Sequence, residues 1–556
     1  MTNGTGPPTI RPAAAEKNPW LVLLVLCTGF FMILLDTTIV NVAIPSIAGS
    51  SSGLHSSLDE ILWVLNAYIL VYAVLLITAG RLGDLYGQRN LFVIGLIVFT
   101  LGSAWCGLAQ DTNQLIIARI GQGVGGALLT PQTLALLQTI FPPEKRGTAF
   151  GIWAGVAGIA TLAGPTLGGF LTDNFTWRSI FYVNVPIGIA AVIASYLFIP
   201  DIRPGRRHGI DPLGVLLASA GLFGIVFGLI EGQRYDWGTV TGFITIPEII
   251  IAGVLIFIVF LVQERFQKEP MIPLSLFRGR NFGLMSWVTA LVAFGMLGLF
   301  LPLTIYLQSV LGMTAFQAGL TIAPMSLTSM VVAPFAGRYT DRIGGKYLLV
   351  TGLTLFGVGM GTLAWFATRD SVWYQFLPSL IAAGFGLGCT FAPMTTTAMG
   401  EIEPQMAGAA SGVFNTTRQV GGAVGSAVVG AVLQNRLAAG LHDQAVAVSG
   451  QLPEAMRQRF IDGFSNAAKA GLEIGRGQSG GALNLPPGVP RHVAAQIAGL
   501  AHDVYINGYL QAMRPTLIVP VVGLLLGAIS CLFVVRVGRT AWAGSVDPAP
   551  APAAEF

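Results

Sequence analysis

The chain has 556 residues, of which 53% are hydrophobic and only 10% are charged, whereas about 25% of the residues of a typical soluble domain are charged. This composition excludes an ordinary soluble protein. The formal net charge of +4 could suggest nucleic-acid binding, but the distribution of basic residues between the loops explains it more simply.

Apolar segments long enough to cross a bilayer recur along nearly the whole chain. Each must be a helix, because an isolated strand would leave its backbone groups unpaired in lipid. The sequence therefore predicts an all-α integral membrane protein with fourteen spans. They cover residues 19–45, 59–79, 91–109, 113–138, 148–171, 179–199, 211–231, 244–263, 282–309, 316–336, 347–367, 374–399, 409–433 and 515–535.

The basic residues fall mainly in alternate loops. If the N-terminus lies in the cytoplasm, 18 of the 30 Lys and Arg residues are in cytoplasmic loops and tails, and the short outer loops hold three. Seven more lie in the segment 434–514, and long translocated loops are largely exempt from the positive-inside rule. The sequence therefore predicts that both termini face the cytoplasm.

An internal repeat divides the chain. "GRLGDLYGQRN" at 80–90 returns as "GRYTDRIGGKY" at 337–347, an offset of 257, and glycines of spans 5 and 13 match at an offset of 261. Spans 1–6 and 9–14 are then two pseudo-symmetric six-helix bundles, with spans 7 and 8 inserted. The predicted units are a cytoplasmic tail (1–18), a first bundle (19–200), a linker with the inserted helices (201–263), a second bundle that includes an outer loop at 434–514 (264–535), and a disordered tail (536–556).

Five motifs carry a family resemblance. They are "LDTTIVNVAIP" in span 1, "GRLGDLYGQR" after span 2, "RIGQGVGGALLTP" in span 4, "GPTLGG" in span 5 and "WRSIFYVNVPIG" at the start of span 6. Together they resemble the fourteen-span drug:proton antiporter branch of the major facilitator superfamily, which includes quaternary-ammonium and multidrug exporters. The resemblance implies export of hydrophobic, often cationic, drugs or antibiotics by alternating access, with protons as the coupling ion and no other cofactor.

Two charges interrupt the spans of the first half. Asp36 lies in span 1 and Arg119 in span 4, where charged side chains are costly and usually functional. Asp36 has only apolar residues at offsets 257–262, so the repeated fold itself does not require an acid there. Burial favours the neutral carboxyl and a nearby cation favours the carboxylate, which predicts a coupling site. The alternatives are a structural acid at Asp36 and snorkelling of Arg119 to the outer interface.

The repeated cytoplasmic turn predicts a conformational latch. An ordinary positive-inside loop would account for its arginines, but the acid recurs in both halves. The resemblance implies that Asp84 pairs across the bundle with a basic residue or a helix N-terminus and so stabilises one conformation. The predicted latch residues are Gly80, Arg81, Asp84, Gly87, Arg89 and Asp341.

Span 5 is rich in glycine and contains one proline. Small residues four apart let membrane helices approach closely, and proline removes a backbone hydrogen bond, although such patterns also occur in ordinary packing. The resemblance implies a pliable, proton-tight face typical of antiporters. The second half reads Gly425-Ser426 at the matching place and lacks the proline. The predicted kink residues are Gly155, Gly164, Pro165, Gly168 and Gly169.

Other polar residues are open to more than one interpretation. Arg418 is either a buried counter-charge or a structural pin, and Glu231 is predicted at the membrane interface, outside the cavity. Aromatic and polar groups at plausible depths could line a cavity for lipophilic cations or belong to an interfacial belt. These candidates are Asn41, Trp63, Asn66, Tyr68, Tyr306 and Gln308.

The partners follow from what the chain contains. No P-loop motif occurs, which favours an ion gradient over ATP. We expect small lipophilic substrates, a bilayer of the bacterial inner or plasma membrane, a monomer, and neither nucleic acid, catalytic residues nor a metal site. Span 10 has no acid, which favours monovalent or neutral substrates. Two rival functions are a dedicated exporter of one endogenous metabolite, antibiotic or lipid, and a non-transporting membrane sensor or scaffold.

Overall fold

The computed structural model describes residues 18–48, 58–201, 209, 211–267, 269–452, 454–469 and 491–535. The tail predicted at 536–556 and nearly all of the tail predicted at 1–18 lie outside the described residues, as does the centre of the predicted outer loop. The described chain is almost entirely helical, which confirms the all-α class.

The first half contains seven helices. They are α1 (Pro19–Ala48), α2 (Leu58–Tyr86), α3 (Gln88–Leu108), α4 (Thr112–Ile140), α5 (Pro143–Asn174), the short α6 (Ser179–Tyr182) and α7 (Asn184–Phe198). Local signals fix their ends. The Asp111 side chain accepts from the backbone N–H of Gln114 and caps α4, and a proline stands in the first turn of α5.

Two further helices, α8 (Pro212–Glu231) and α9 (Ile246–Phe266), pack against each other and follow the first half. A small antiparallel hairpin of β1 (Thr239–Thr241) and β2 (Ile244–Thr245) joins them. The second half contains α10 (Arg280–Ile305), α11 (Ala315–Ile343), α12 (Lys346–Phe366), α13 (Leu377–Met399), α14 (Ala407–Ser449), α15 (Glu454–Lys469) and α16 (Arg491–Cys531).

The two halves meet through helices that the repeat relates. α5 packs along α11, and α14 packs along α2. Because α2 matches α11 and α5 matches α14 in the repeat, these are two copies of one interface. Helix α8 contacts both α2 and α14, so the pair α8–α9 lies beside the junction between the halves.

Thirteen helices of the described chain are long and apolar enough to cross a membrane. The predicted span 113–138 corresponds to α4, which is absent from those thirteen, so the count of fourteen crossings stays a prediction. The reason is visible in the packing. Helix α4 contacts α2 and α3, and its polar side chains, including Gln122, Gln132 and Gln138, are buried against neighbouring helices. A helix enclosed by other helices does not need a uniformly apolar surface.

Helices occupy most of the described part of the predicted outer segment 434–514. Helix α14 continues to Ser449, α15 packs against it, and α16 already begins at Arg491. At 1.5 Å per residue, the 43 residues of α14 extend over about 65 Å, roughly twice the thickness of the hydrocarbon core. The helices therefore extend beyond the bilayer on the predicted outer side.

Candidate functional site

A fully buried ion pair joins the first and fourth helices. Nη1 of Arg119 on α4 lies 2.5 Å from Oδ2 of Asp36 on α1, and neither side chain is exposed. The two residues predicted separately from the sequence are therefore direct partners. Snorkelling of Arg119 to the interface is excluded in this conformation, because its guanidinium is enclosed by protein.

Both partners are held by further hydrogen bonds. The Nη1 of Arg119 also donates to Gln122 Oε1 at 2.7 Å, and its Nε donates to the carbonyl oxygen of Val64 on α2 at 3.1 Å. The other carboxylate oxygen of Asp36 accepts from Gln122 Nε2 at 2.7 Å and from Asn184 Nδ2 at 3.5 Å. Four helices thus fix one carboxylate and one guanidinium, as a buried ion pair requires.

Aromatic rings enclose the guanidinium. Its central carbon lies 4.2 Å from the ring centroid of Tyr68 and 6.0 Å from that of Phe181, distances that suit cation–π contact. The Nη2 of Arg119 and the hydroxyl of Tyr68 are buried without a hydrogen-bond partner in the described part of the chain. Tyr68, predicted to line a cavity, therefore belongs to the surroundings of Arg119. The cluster can hold a carboxylate away from water. The Nη2 of Arg119 and the hydroxyl of Tyr68 are further hydrogen-bonding groups beside it.

The first predicted latch acid binds a helix N-terminus. The carboxylate of Asp84, near the end of α2, accepts from the backbone N–H groups of Gly408 at 2.8 Å and Ala409 at 2.7 Å. These groups lie in the first turn of α14, where unpaired N–H groups and the helix dipole favour a negative charge. Of the two partners that the sequence left open, the structure shows the helix N-terminus.

The second half repeats this contact. The carboxylate of Asp341 on α11 accepts from the backbone N–H of Gly147 at 2.7 Å, and from the N–H of Thr148 at 3.0 Å and its hydroxyl at 2.9 Å, near the start of α5. The acids are 257 residues apart and their partners 261 apart, the two offsets found in the sequence. Both contacts lie on the predicted cytoplasmic side and join the two halves.

Glycines allow these helices to touch. A Cβ atom on Gly80 would overlap the carbonyl oxygen of Gly408, and one on Gly337 would overlap that of Gly147. Gly87, after α2, has a φ of 93°, a conformation that favours glycine. Gly344 repeats it with a φ of 84°. The repeated glycines therefore allow the helices of the two halves to approach closely and the chain to turn after each helix. The two aspartates form the hydrogen bonds between the halves.

The two arginines of the first latch motif differ in their contacts. Arg89 donates from Nη2 to the carbonyl oxygen of Tyr196 on α7 at 3.1 Å, and its guanidinium lies 5.3 Å from that ring. It therefore holds α7 within the first half. Arg81 is half-buried beside Asp84 at the end of α2.

The predicted kink helix has two faces. On the predicted cytoplasmic side, Gly155 lies against α11. Further along, Gly164 and Gly168 lie against Thr38 and Ile39 of α1, close to Asp36 in sequence. Gly169 has open space where a side chain would be. Helix α5 runs unbroken past Pro165, whose side chain lies outside the described residues, so the kink itself stays a prediction.

Three other predicted cavity residues differ in their surroundings. Asn41 is exposed, and Gln308 is half-buried. Tyr306 is fully buried, and its hydroxyl donates to the carbonyl oxygen of Thr368 at 2.7 Å, so it packs within the second half rather than facing a cavity. Arg418 is half-buried on α14 and is not part of the Asp36 cluster.

Two residues of the buried cluster are not predicted from the sequence. Gln122 and Asn184 complete the Asp36–Arg119 cluster, and both stand inside motifs that carried the resemblance, "RIGQGVGG" and "YVNVP". The sequence carries a signal for Gln122, which is three residues from Arg119 and therefore lies on the same face of the helix. Glu231, predicted at the interface, is buried and accepts a hydrogen bond from Asn66.

We expect Asp84→Asn to open the predicted cytoplasmic side. Asparagine retains one acceptor oxygen but loses the charge, and a charge-assisted bond at a helix N-terminus contributes about 1.5 kcal/mol or more, which corresponds to a shift of about tenfold in population. Spin labels on the exposed residues Tyr86 and Glu403 would report the widening between α2 and α14. Asp341→Asn should widen α5 from α11 in the same way, and unchanged label distances in both variants would contradict the latch.

We expect Gly80→Ala to weaken the same closure by steric overlap. Its methyl group would meet the backbone of α14, which cannot move without separating the helices, and overpacking of this kind typically costs about 1–3 kcal/mol. Gly169→Ala is the matched control, since a methyl group there meets no neighbour. Transport by the Gly80 variant should fall several-fold while the Gly169 variant behaves as wild type. Equal activity of the two would show that the contact is dispensable.

A model of the Major Facilitator Superfamily matches residues 26–426. The chain is 34% identical over 506 residues to the tetracenomycin C resistance and export protein of Streptomyces glaucescens, with 89% of each protein covered. It is 36% identical over 427 residues to the multidrug resistance protein Stp of Mycobacterium tuberculosis (strain CDC 1551 / Oshkosh), covering 77% of this chain and 78% of that protein.

A solved structure with a similar fold is that of the human organic anion transporter MFSD10. Its TM-score to this chain is 0.54 at 13% sequence identity, and the match covers 90% of this chain and all of that one. At this identity the likeness concerns the fold alone.

Proposed function

Because this chain belongs to the Major Facilitator Superfamily and is a multi-pass membrane transporter rather than an enzyme, we propose that it is a proton-coupled antiporter. In this proposal it exports hydrophobic, often cationic, drugs or antibiotics from the cytoplasm by alternating access. The names of two relatives, one an antibiotic export protein and the other a multidrug resistance protein, support the substrate class.

The buried pair of Asp36 and Arg119 is the observation that carries the proposal. A proton or a positively charged substrate can each compete with Arg119 for the carboxylate, and the enclosed surroundings make that competition strong. Arg119 also donates to Gln122 and to the carbonyl oxygen of Val64, and neither bond depends on the charge of Asp36. The guanidinium therefore stays in place through the cycle, while the carboxylate changes its charge.

The interface between the halves supports alternating access. Both predicted cytoplasmic contacts, at Asp84 and at Asp341, are closed in this structure. Towards the predicted outer side, α5 and α11 border a small gap lined by Thr161, Leu162, Thr166, Phe316, Gly319 and Leu320. The closed inner contacts fit a conformation that is shut towards the cytoplasm. Rocking of the halves would release the latches and expose the cavity to the cytoplasm.

The driving force would be the proton gradient. Each net charge moved across the membrane is worth about 2.3 kcal/mol per 100 mV, and a pH difference adds to that. Exchange of one proton for a neutral substrate moves one charge, whereas exchange for a monovalent cation moves none and is driven by the pH difference alone. In the proposed cycle, substrate bound from the cytoplasm displaces the proton of Asp36, leaves on the outer side, and is replaced by an outer proton. The protein works without ATP and as a monomer in this proposal.

Transport in proteoliposomes tests the proposal. Purified protein is reconstituted, a pH gradient is imposed, and the movement of a panel of cationic dyes and antibiotics is followed. We expect accumulation that stops when an ionophore collapses the gradient. Accumulation that is indifferent to the ionophore would contradict proton coupling, and failure to move any compound would favour a sensor or scaffold.

Export of one dedicated compound is the second candidate. The relative named for tetracenomycin C favours it, since that name refers to a single antibiotic. Resistance profiles after overexpression separate the two candidates. Protection against many unrelated compounds indicates a multidrug exporter, and protection against one indicates a dedicated exporter.

A further inference from the structure

A second buried carboxylate lies beside the same stretch of α2 as the Asp36 cluster. Glu231, the last residue of α8, is only 1% exposed, and its Oε1 accepts from Asn66 Nδ2 of α2 at 2.9 Å. Two residues earlier, the carbonyl oxygen of Val64 accepts from Arg119. The two acids therefore flank one turn of α2 at nearly the same depth, although Glu231 comes from the helix pair that follows the first half.

The positive charge beside Glu231 is supplied locally and is partly exposed. Nη1 of Arg234 lies 3.0 Å from Glu231 Oε2, and the arginine side chain is 28% exposed. It stands on the turn after α8, three residues from the acid, and its guanidinium lies 5.5 Å from the ring of Tyr235. Arg234 is therefore the more accessible partner of this ion pair, with an aromatic ring beside it. Glu231, by contrast, is enclosed.

Aromatic side chains lead to this carboxylate. Phe223, Phe227 and Glu231 are spaced by four residues and share one face of α8. The rings of Phe223 and Phe227 are stacked at 5.6 Å, and Phe227 lies 6.1 Å from Trp63 of α2. Phe223 is 48% exposed on a helix of membrane-spanning length. The stripe thus begins at an exposed aromatic residue and ends at a buried negative charge.

On these observations, and resting on the proposed function, we propose that Glu231 binds the positive group of monovalent lipophilic cationic substrates, with Trp63 and Phe227 as the aromatic walls and Arg234 as the cation that the substrate displaces. Aromatic faces beside one carboxylate suit an organic cation, whereas a divalent metal ion would need several oxygen ligands. The exposed end of the stripe lets a cation enter from the bilayer, where such compounds accumulate.

Binding of tetraphenylphosphonium to the purified full-length protein in nanodiscs tests this site. We expect Glu231→Gln to weaken binding about tenfold or more, because glutamine keeps an acceptor for Asn66 but removes the charge. We expect Arg234→Gln to tighten binding about threefold or more, because it removes the competing cation. A merely structural ion pair would make both variants less stable and would not move the two affinities in opposite directions.

The outcomes separate this inference from the proposed function. Unchanged affinity in Glu231→Gln, or a shift of both variants in the same direction, overturns the inference. The inference is also overturned if the wild-type protein binds no tetraphenylphosphonium but exports a neutral antibiotic with proton release. That result would still support proton-coupled export. Melting temperatures of the variants verify folding, and the opposite sign expected for Arg234→Gln keeps the test decisive even if Glu231→Gln folds poorly.

Discussion

Asp36→Asn is expected to abolish proton-driven export. Asparagine cannot take up and release a proton, and its amide would place a donor against Arg119 or Gln122, which already donate to this position. The rate of proton-driven accumulation should fall by about 100-fold or more, which corresponds to an increase of about 2.7 kcal/mol or more in the activation free energy of transport. The measurement is substrate accumulation in proteoliposomes under an imposed pH gradient.

Two controls separate loss of coupling from loss of structure. Asp36→Glu keeps the charge on a longer side chain, and we expect it to retain coupling at a reduced rate. Exchange of a neutral substrate for the same substrate without a gradient should persist in Asp36→Asn, since that exchange needs rocking of the halves but neither net proton movement nor the charge of the carboxylate. Full proton-driven transport by Asp36→Asn would show that the coupling acid lies elsewhere.

Arg119→Gln is expected to cost both stability and coupling. Removing one partner of a buried ion pair leaves an uncompensated charge and typically costs about 3–5 kcal/mol. Asp36 would then lack the cation with which proton and substrate compete in the proposed cycle. We expect a lower melting temperature of the reconstituted protein together with loss of substrate-dependent proton movement.

Arg119→Lys and Arg369→Gln are the matched comparisons. Lysine retains a positive charge beside Asp36 but cannot reach Gln122 and the Val64 carbonyl with the same fork of donors, so we expect an intermediate phenotype. Arg369 pairs with Asp503 at 3.4 Å on the exposed outer side, where ion pairs contribute little, so its loss should leave transport unchanged. Equal effects of Arg119→Gln and Arg369→Gln would argue against a special role for the buried pair.

The repeat explains why much of the architecture was predictable. When two halves share one fold, residues at matching positions make matching contacts. The offsets of 257 and 261 found in the sequence accordingly separate the acids and the partners in the hydrogen bonds of Asp341 and Asp84. The departure from the repeat was equally informative. An acid without a counterpart in the second half, Asp36, lies at the centre of the buried cluster. The family resemblance drawn from the motifs is confirmed by the family match and the relatives.

Packing decided what the sequence left open. Nothing in the turn at Asp84 distinguishes a basic partner from a helix N-terminus, because the start of α14 lies more than 300 residues away. Hydropathy alone set the end of span 13 near residue 433, but α14 continues because its later residues pack against α15 and α16. The sequence predicts Glu231 at the interface because it ends an apolar run, and only the position of α2 shows that the acid is enclosed.

Substrate-induced proton release from the purified protein tests the central claim most directly. Protein in weakly buffered detergent solution with a pH indicator is mixed with a cationic substrate. We predict acidification in wild type and in Asp36→Glu, and none in Asp36→Asn under the same conditions. Proton release by Asp36→Asn equal to that of wild type would contradict the assignment of Asp36 as the carboxylate for which proton and substrate compete.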